Sequence, residues 1–80
     1  AFSIRFRPGR GIIDIISFSG RARTEIEVFD TEGGLVVRRA FAQLNARETI
    51  GLSMEAAPAG MYLVVIQTGG RVFAQRLVKR

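Results

Sequence analysis

Thr24-Glu25-Ile26-Glu27-Val28-Phe29-Asp30-Thr31-Glu32-Gly33-Gly34-Leu35-Val36-Val37-Arg38-Arg39-Ala40-Phe41 is the stretch whose reading decides the fold. From Thr24 to Phe29 apolar and polar residues alternate, which sends Ile26 and Val28 inward and Glu25 and Glu27 outward on a strand with one wet face. Asp30 to Gly34 reads as a turn, where a glycine at or near the end supplies the positive φ that closes a hairpin. Leu35 to Phe41 then returns as the partner strand.

The same period continues outward in both directions. Upstream, Ile12 to Phe18 is β-branched and mostly apolar, interrupted by Asp14 and closed by Ser19-Gly20. Before it, Pro8-Gly9-Arg10-Gly11 breaks the chain, and Phe2, Ile4 and Phe6 alternate with Ser3, Arg5 and Arg7. Downstream, Ala42 to Arg47 fits either a loop or a helical turn, and Glu48 to Ser53 reads as a short strand with Ile50 and Leu52 on one face. Pro58-Ala59-Gly60 is a turn. Met61 to Gln67 is apolar on both faces, which puts it at the centre of a sheet. Thr68-Gly69-Gly70 makes a tight turn, and Arg71 to Lys79 is the last strand. About seven short strands with regularly spaced turns predict one all-β domain over residues 1–80, a seven-stranded immunoglobulin-like Greek-key β-sandwich without helix.

Composition narrows the function classes. Of 80 residues, 48% are hydrophobic, which is enough for a core and unlike a disordered chain. The longest apolar run, Met61 to Ile66, falls far short of the roughly 20 residues a membrane-spanning helix needs. No signal-peptide pattern precedes the first strand, and a start at Ala1-Phe2-Ser3 without Met leads us to expect a piece of a longer protein. There is no Cys, so packing must do the work that disulfides do in many small secreted domains. With no His and no Cys, most metal sites and nucleophile–base pairs are unavailable, and no catalytic, cofactor-binding or metal-binding residue is assigned. Glu25 and Glu27 share a strand face, but on an exposed strand they read as a solvated face and not as a catalytic carboxylate pair. The net charge is +5, and every cation except Lys79 is Arg. These arginines are dispersed, without the aromatic interleaving of a stacking platform, so nucleic acid is not expected as a partner. Arg is also a common guard on exposed strand edges.

The second half of the chain carries a resemblance. Val28-Phe29-Asp30-Thr31-Glu32-Gly33-Gly34-Leu35-Val36 resembles the "V-x-D-x-x-G-x-x-V" hairpin of the C-terminal sorting domains of type IX secretion. Pro58-Ala59-Gly60-Met61-Tyr62-Leu63-Val64 is similar to that family's "L-P-A-G-x-Y-L-V" segment, with Ala57 where the family often has Leu. Thr68-Gly69-Gly70-Arg71 resembles its Gly-containing turn, and Arg76-Leu77-Val78-Lys79-Arg80 its basic, aliphatic last strand. The resemblance covers residues 26 to 80, and its weight lies in the order and spacing of the pieces. The first quarter departs from it. Arg7-Pro8-Gly9-Arg10-Gly11-Ile12 has one Pro and no Asn where the family carries "P-N-P", which leaves both a cleaved and a retained form open.

The resemblance implies a signal at the end of a larger protein of Bacteroidota-type bacteria, non-enzymatic and without cofactor. It implies passage through the periplasm and then exposure at the outer-membrane surface or release. The implied partners are the type IX translocon, outer-membrane attachment-complex proteins and a sortase-like signal peptidase, with anionic lipopolysaccharide as a further candidate. The recognition residues it implies are Gly60, Tyr62, Gly69, Gly70, Leu77, Val78, Lys79 and Arg80. On this reading Leu77 and Val78 fill pockets of a partner strand added at a free edge, while Lys79 and Arg80 steer toward acidic surfaces. The competing expectation is a retained immunoglobulin-like module that binds an anionic glycan, lipopolysaccharide or an envelope protein through its Arg-rich faces. The exposed edges of an open sandwich also admit a strand-exchanged homodimer.

Overall fold

The computed structural model describes residues 2–80, so Ala1, where the expected junction with a preceding segment falls, lies outside them. Seven strands follow one another: β1 (Phe2–Arg7), β2 (Ile12–Ser17), β3 (Thr24–Phe29), β4 (Leu35–Phe41), β5 (Thr49–Ser53), β6 (Gly60–Thr68) and β7 (Arg71–Lys79). They form two antiparallel sheets, three-stranded in the order β1-β2-β5 and four-stranded in the order β4-β3-β6-β7. No helix of the described residues is long and apolar enough to cross a membrane.

The period-two pattern explains the layering. Ile13 and Ile15 of β2 and Ile50 and Leu52 of β5 face Ile26 and Val28 of β3 and Tyr62, Val64 and Ile66 of β6 across one core. Leu77 of β7 joins them, and Phe2, Ile4 and Phe6 of β1 pack on the side. Each fully buried aliphatic side chain stabilises the fold by about 1.5–3 kcal/mol. Two core residues come from outside the strands. Leu44 sits in the segment 42–47, which is an irregular loop and not a helical turn, and its backbone forms an isolated bridge with Arg21. Met54 lies just past β5, where its N–H donates to the Gly11 carbonyl at 2.7 Å.

The β3–β4 hairpin closes as expected. The Asp30 carboxylate accepts the N–H groups of Glu32 at 2.9 Å and Gly34 at 2.7 Å, and Gly33 takes a φ of +83°. The register shifts between Val28 and Phe29, which pair with Val37 and Leu35, so Val36 is the extra residue of a bulge. The buried side chains of Ser17, Thr24 and Thr68 are hydrogen-bonded, whereas Arg21 Nε is buried without a partner among the described residues. The hydroxyls of Thr24 and Thr68 are hydrogen-bonded at 3.0 Å, and Thr24 also bonds the Ala22 carbonyl at 3.0 Å.

Candidate functional site

The residues assigned to recognition all lie on the β6–β7 hairpin and at residue 80, and register decides what each can do. The two strands pair from Gly60↔Lys79 to Thr68↔Arg71. Gly69 and Gly70 are the two loop residues, with φ of +55° and +76°, the doubly positive pattern of a tight hairpin turn. Gly60 starts β6 at a φ of +154°, which residues bearing a Cβ rarely adopt. These three glycines shape the backbone of the hairpin.

Side chains alternate between the core and the open face of the four-stranded sheet. Tyr62 is buried against the core, and its hydroxyl donates to the Pro58 carbonyl at 2.5 Å, so the apolar ring packs while the polar tip finds a backbone partner. Leu77, its cross-strand partner, is buried too. The expectation that Leu77 fills a partner's pocket therefore needs correcting, because Leu77 already fills its own domain's core. Val78, one residue on, points outward and is exposed. Lys79 also differs from its expected steering role. Its ammonium donates to the Met54 carbonyl at 2.6 Å and to the Ala57 carbonyl, with the Glu55 carbonyl at 3.5 Å. Three donors on a compact ammonium suit three carbonyls of one turn. Arg80 remains exposed. Both strands of the last hairpin thus grip the Met54–Pro58 loop, β6 through Tyr62 and β7 through Lys79.

The open face of this sheet was the feature that sequence reasoning missed. β6 does sit inside its sheet, between β3 and β7, but only one of its faces is covered. Met61 and Leu63 project from the other face, beside Val78 and Arg76 of β7. The signal was present in Met61 to Ile66, which is apolar on both faces although a two-layer fold offers a strand only one cover.

The charges sort into paired and unpaired groups. Arg7 pairs with Asp14 at 2.5 Å, and Arg38 with Glu25 at 2.6 Å and Glu27 at 3.7 Å. Glu25 and Glu27 are therefore held across strands by an arginine and are not a free carboxylate pair. Arginines also sit over aromatic rings, most of them brought together only by tertiary folding. Arg21 stacks over Phe2 at 5.1 Å and Phe73 at 5.7 Å, Arg39 over Phe41 at 5.7 Å and Arg47 over Phe18 at 6.0 Å. Phe2 and Phe73 meet edge to face at 5.1 Å, and the Gln75 amide donates to the Ile4 carbonyl at 3.2 Å, so β1 is fastened to β7. Among the described residues no three His, Cys, Asp or Glu side chains gather as metal ligands.

Comparison with known proteins decides the family. A family model described as "Secretion system C-terminal sorting domain" matches residues 7–80. The chain belongs to this sorting-domain family. The match reaches further upstream than the motifs between residues 26 and 80, and takes in the Pro8–Gly11 turn that lacks the family's usual Pro-Asn-Pro. No curated protein matches the chain. The sorting domain is a C-terminal signal for type IX secretion, a targeting and not a catalytic family. It engages the secretion machinery and serves export across the outer membrane to the cell surface or the medium.

Proposed function

We propose that the machinery reads this sorting domain as a folded immunoglobulin-like Greek-key β-sandwich, through its last two strands, and that the domain performs no chemistry itself. The observation that carries the reading is the anchoring of the β6–β7 hairpin. Tyr62 and Lys79 tie it to the Met54–Pro58 loop, while Met61, Leu63, Arg76 and Val78 stay on the surface. A rigid element with an open face costs little entropy to recognise. On this reading the partners are proteins of the outer-membrane translocon and attachment complex, met after passage through the periplasm. A sortase-like peptidase then removes the domain, or the domain stays attached.

The second reading, a retained module that binds an anionic glycan, draws on Arg23 and Arg71. Both line one open groove beside the Gly69-Gly70 turn. One experiment separates the two. Residues 1–80 are fused to a reporter in a bacterium with the type IX machinery, alongside an Ile15→Asp fusion and an Arg5→Glu/Arg23→Glu fusion. Deleting Leu77 to Arg80 is a poor test, since it removes a core residue and the Lys79 anchor together. A folded sorting signal exports the reporter, loses export with the unfolded Ile15→Asp form, and tolerates the charge reversals. Export by the unfolded form, or loss on charge reversal with the fold intact, counts against it.

A further inference from the structure

Five of the six large hydrophobic side chains exposed among the described residues lie on one surface, the outer face of the β4-β3-β6-β7 sheet. Cross-strand register arranges them. One row across the sheet reads Leu35, Phe29, Leu63, Arg76, and the adjacent pair is Met61 and Val78. Leu35 is 53% exposed, Met61 and Val78 48% and Leu63 38%. The next rows are different: Arg38-Glu27-Val65-Ala74 and Ala40-Glu25-Gln67-Val72, where Arg38 holds both carboxylates. The end of the face near the Gly69 turn is therefore the more polar one, with Arg38 between Glu25 and Glu27 and Val72 as its one exposed large apolar side chain, while Leu35, Met61, Leu63 and Val78 gather at the other, apolar end. At the apolar end a groove of about 220 Å³ opens between Asp30, Thr31, Met61, Leu63 and Arg76, with space for one large side chain.

The surrounding charge indicates what covers this patch. Ion pairs among the described residues engage only Arg7 and Arg38, so Arg76 at the lip of the groove has no carboxylate partner. The only acid in the groove, Asp30, has one carboxylate oxygen occupied by the two N–H groups of its own turn. A second copy fits poorly: it would bring together two chains of net charge +5, and Glu25 and Glu27 of this face are already held by Arg38. We infer that the apolar end of this face is the docking surface for a protein of the secretion machinery that seats an apolar side chain in the groove beside Met61 and Leu63 and sets a carboxylate on Arg76. This rests on the sorting reading above and deepens it. Recognition passes through the face of the last hairpin and not through the side chains of Leu77 and Lys79, which are engaged within the domain. Interface hot spots are a few side chains seated in well-packed, desolvated pockets, and arginine is enriched among them.

The test uses the reporter fusion of the whole chain. Met61→Thr/Leu63→Thr/Val78→Thr keeps strand-compatible residues while removing the apolar patch, and Arg76→Ala and Arg76→Glu probe the charge. Circular dichroism melts establish that each purified chain is folded, and sedimentation gives its oligomeric state. Should the triple variant unfold, Val78→Thr with Arg76→Glu replaces it. The expected result is export of the wild type, a drop of about tenfold or more for the folded patch variant, and a larger drop for Arg76→Glu than for Arg76→Ala. Wild-type export matched by the patch variant overturns the docking surface and leaves the sorting reading standing. No export of the wild-type fusion removes the sorting reading, and the docking surface with it. A wild-type dimer that the patch variant breaks assigns the face to a second copy and overturns the proposed partner.

Discussion

Replacing Lys79 by Met separates an anchoring lysine from a steering one. Methionine keeps an unbranched apolar stem and deletes only the ammonium. Three carbonyls are affected unequally. Met54 keeps a second donor, the Ala57 N–H at 3.1 Å, and Glu55 is at the long distance of 3.5 Å. Ala57, whose carbonyl bonds the ammonium directly, loses most. A hydrogen bond to a charged group contributes about 1.5–3 kcal/mol, and with part of the site open to water we expect a loss of about 2 kcal/mol for Lys79→Met. For a domain of this size that lowers the melting temperature by about 10 °C. Urea unfolding followed by circular dichroism should show a lower midpoint with an unchanged slope, because the surface exposed on unfolding is the same. The neighbouring Arg80→Met, which removes an exposed charge, should change stability by no more than about 0.5 kcal/mol. Equal and small effects of the two substitutions would refute the reasoning and return Lys79 to a free surface cation.

Three other outcomes follow from the same geometry. Gly69→Ala should destabilise by about 1 kcal/mol in a thermal melt although no atom lies within 4 Å of the added Cβ, because the cost is the backbone at φ +55°; Gly69→Asn should cost less. Ile15→Val should cost about 0.5–1.5 kcal/mol and Ile15→Ala about 2–5 kcal/mol in urea titrations, the latter approaching the whole stability of a small domain. Thr24→Val should destabilise by about 1–3 kcal/mol by orphaning the Thr68 hydroxyl, Thr68→Val should cost less because the Thr24 hydroxyl keeps the Ala22 carbonyl, and the double variant should lose less than the sum in a double-mutant cycle.

Local chemistry made much of this domain legible. Alternation in Thr24–Phe29 and the paired glycines after Thr68 mark strands and turns because side-chain direction and positive φ are properties of single residues and their immediate neighbours. The family could be read from the hairpin around Asp30 and the segment from Pro58 to Val64 for the same reason: the Asp30 carboxylate and the following glycines build one turn from a few consecutive residues. The residues expected to serve recognition fall on one hairpin and at residue 80, but their burial was not legible in the sequence. Leu77 and Val78 are adjacent and both aliphatic, and only pairing with Tyr62 and Met61 sends one into the core and the other to the surface.

Sequence alone determined the number of strands, their order along the chain and the positions of the turns. Tertiary structure decided which strands share a sheet and how distant groups meet. Leu44 and Met54 enter the core from loops that no periodicity marks, and Arg21 finds Phe2 and Phe73 from opposite ends of the chain. Lys79 caps carbonyls more than twenty residues upstream, and Met61, Leu63 and Val78 form one surface only because β6 and β7 lie in register with their outer face uncovered. The physical reason is range. Backbone preference and alternation act over a few residues, whereas cover, capping and juxtaposition depend on contacts that exist only after the sheets have paired and packed.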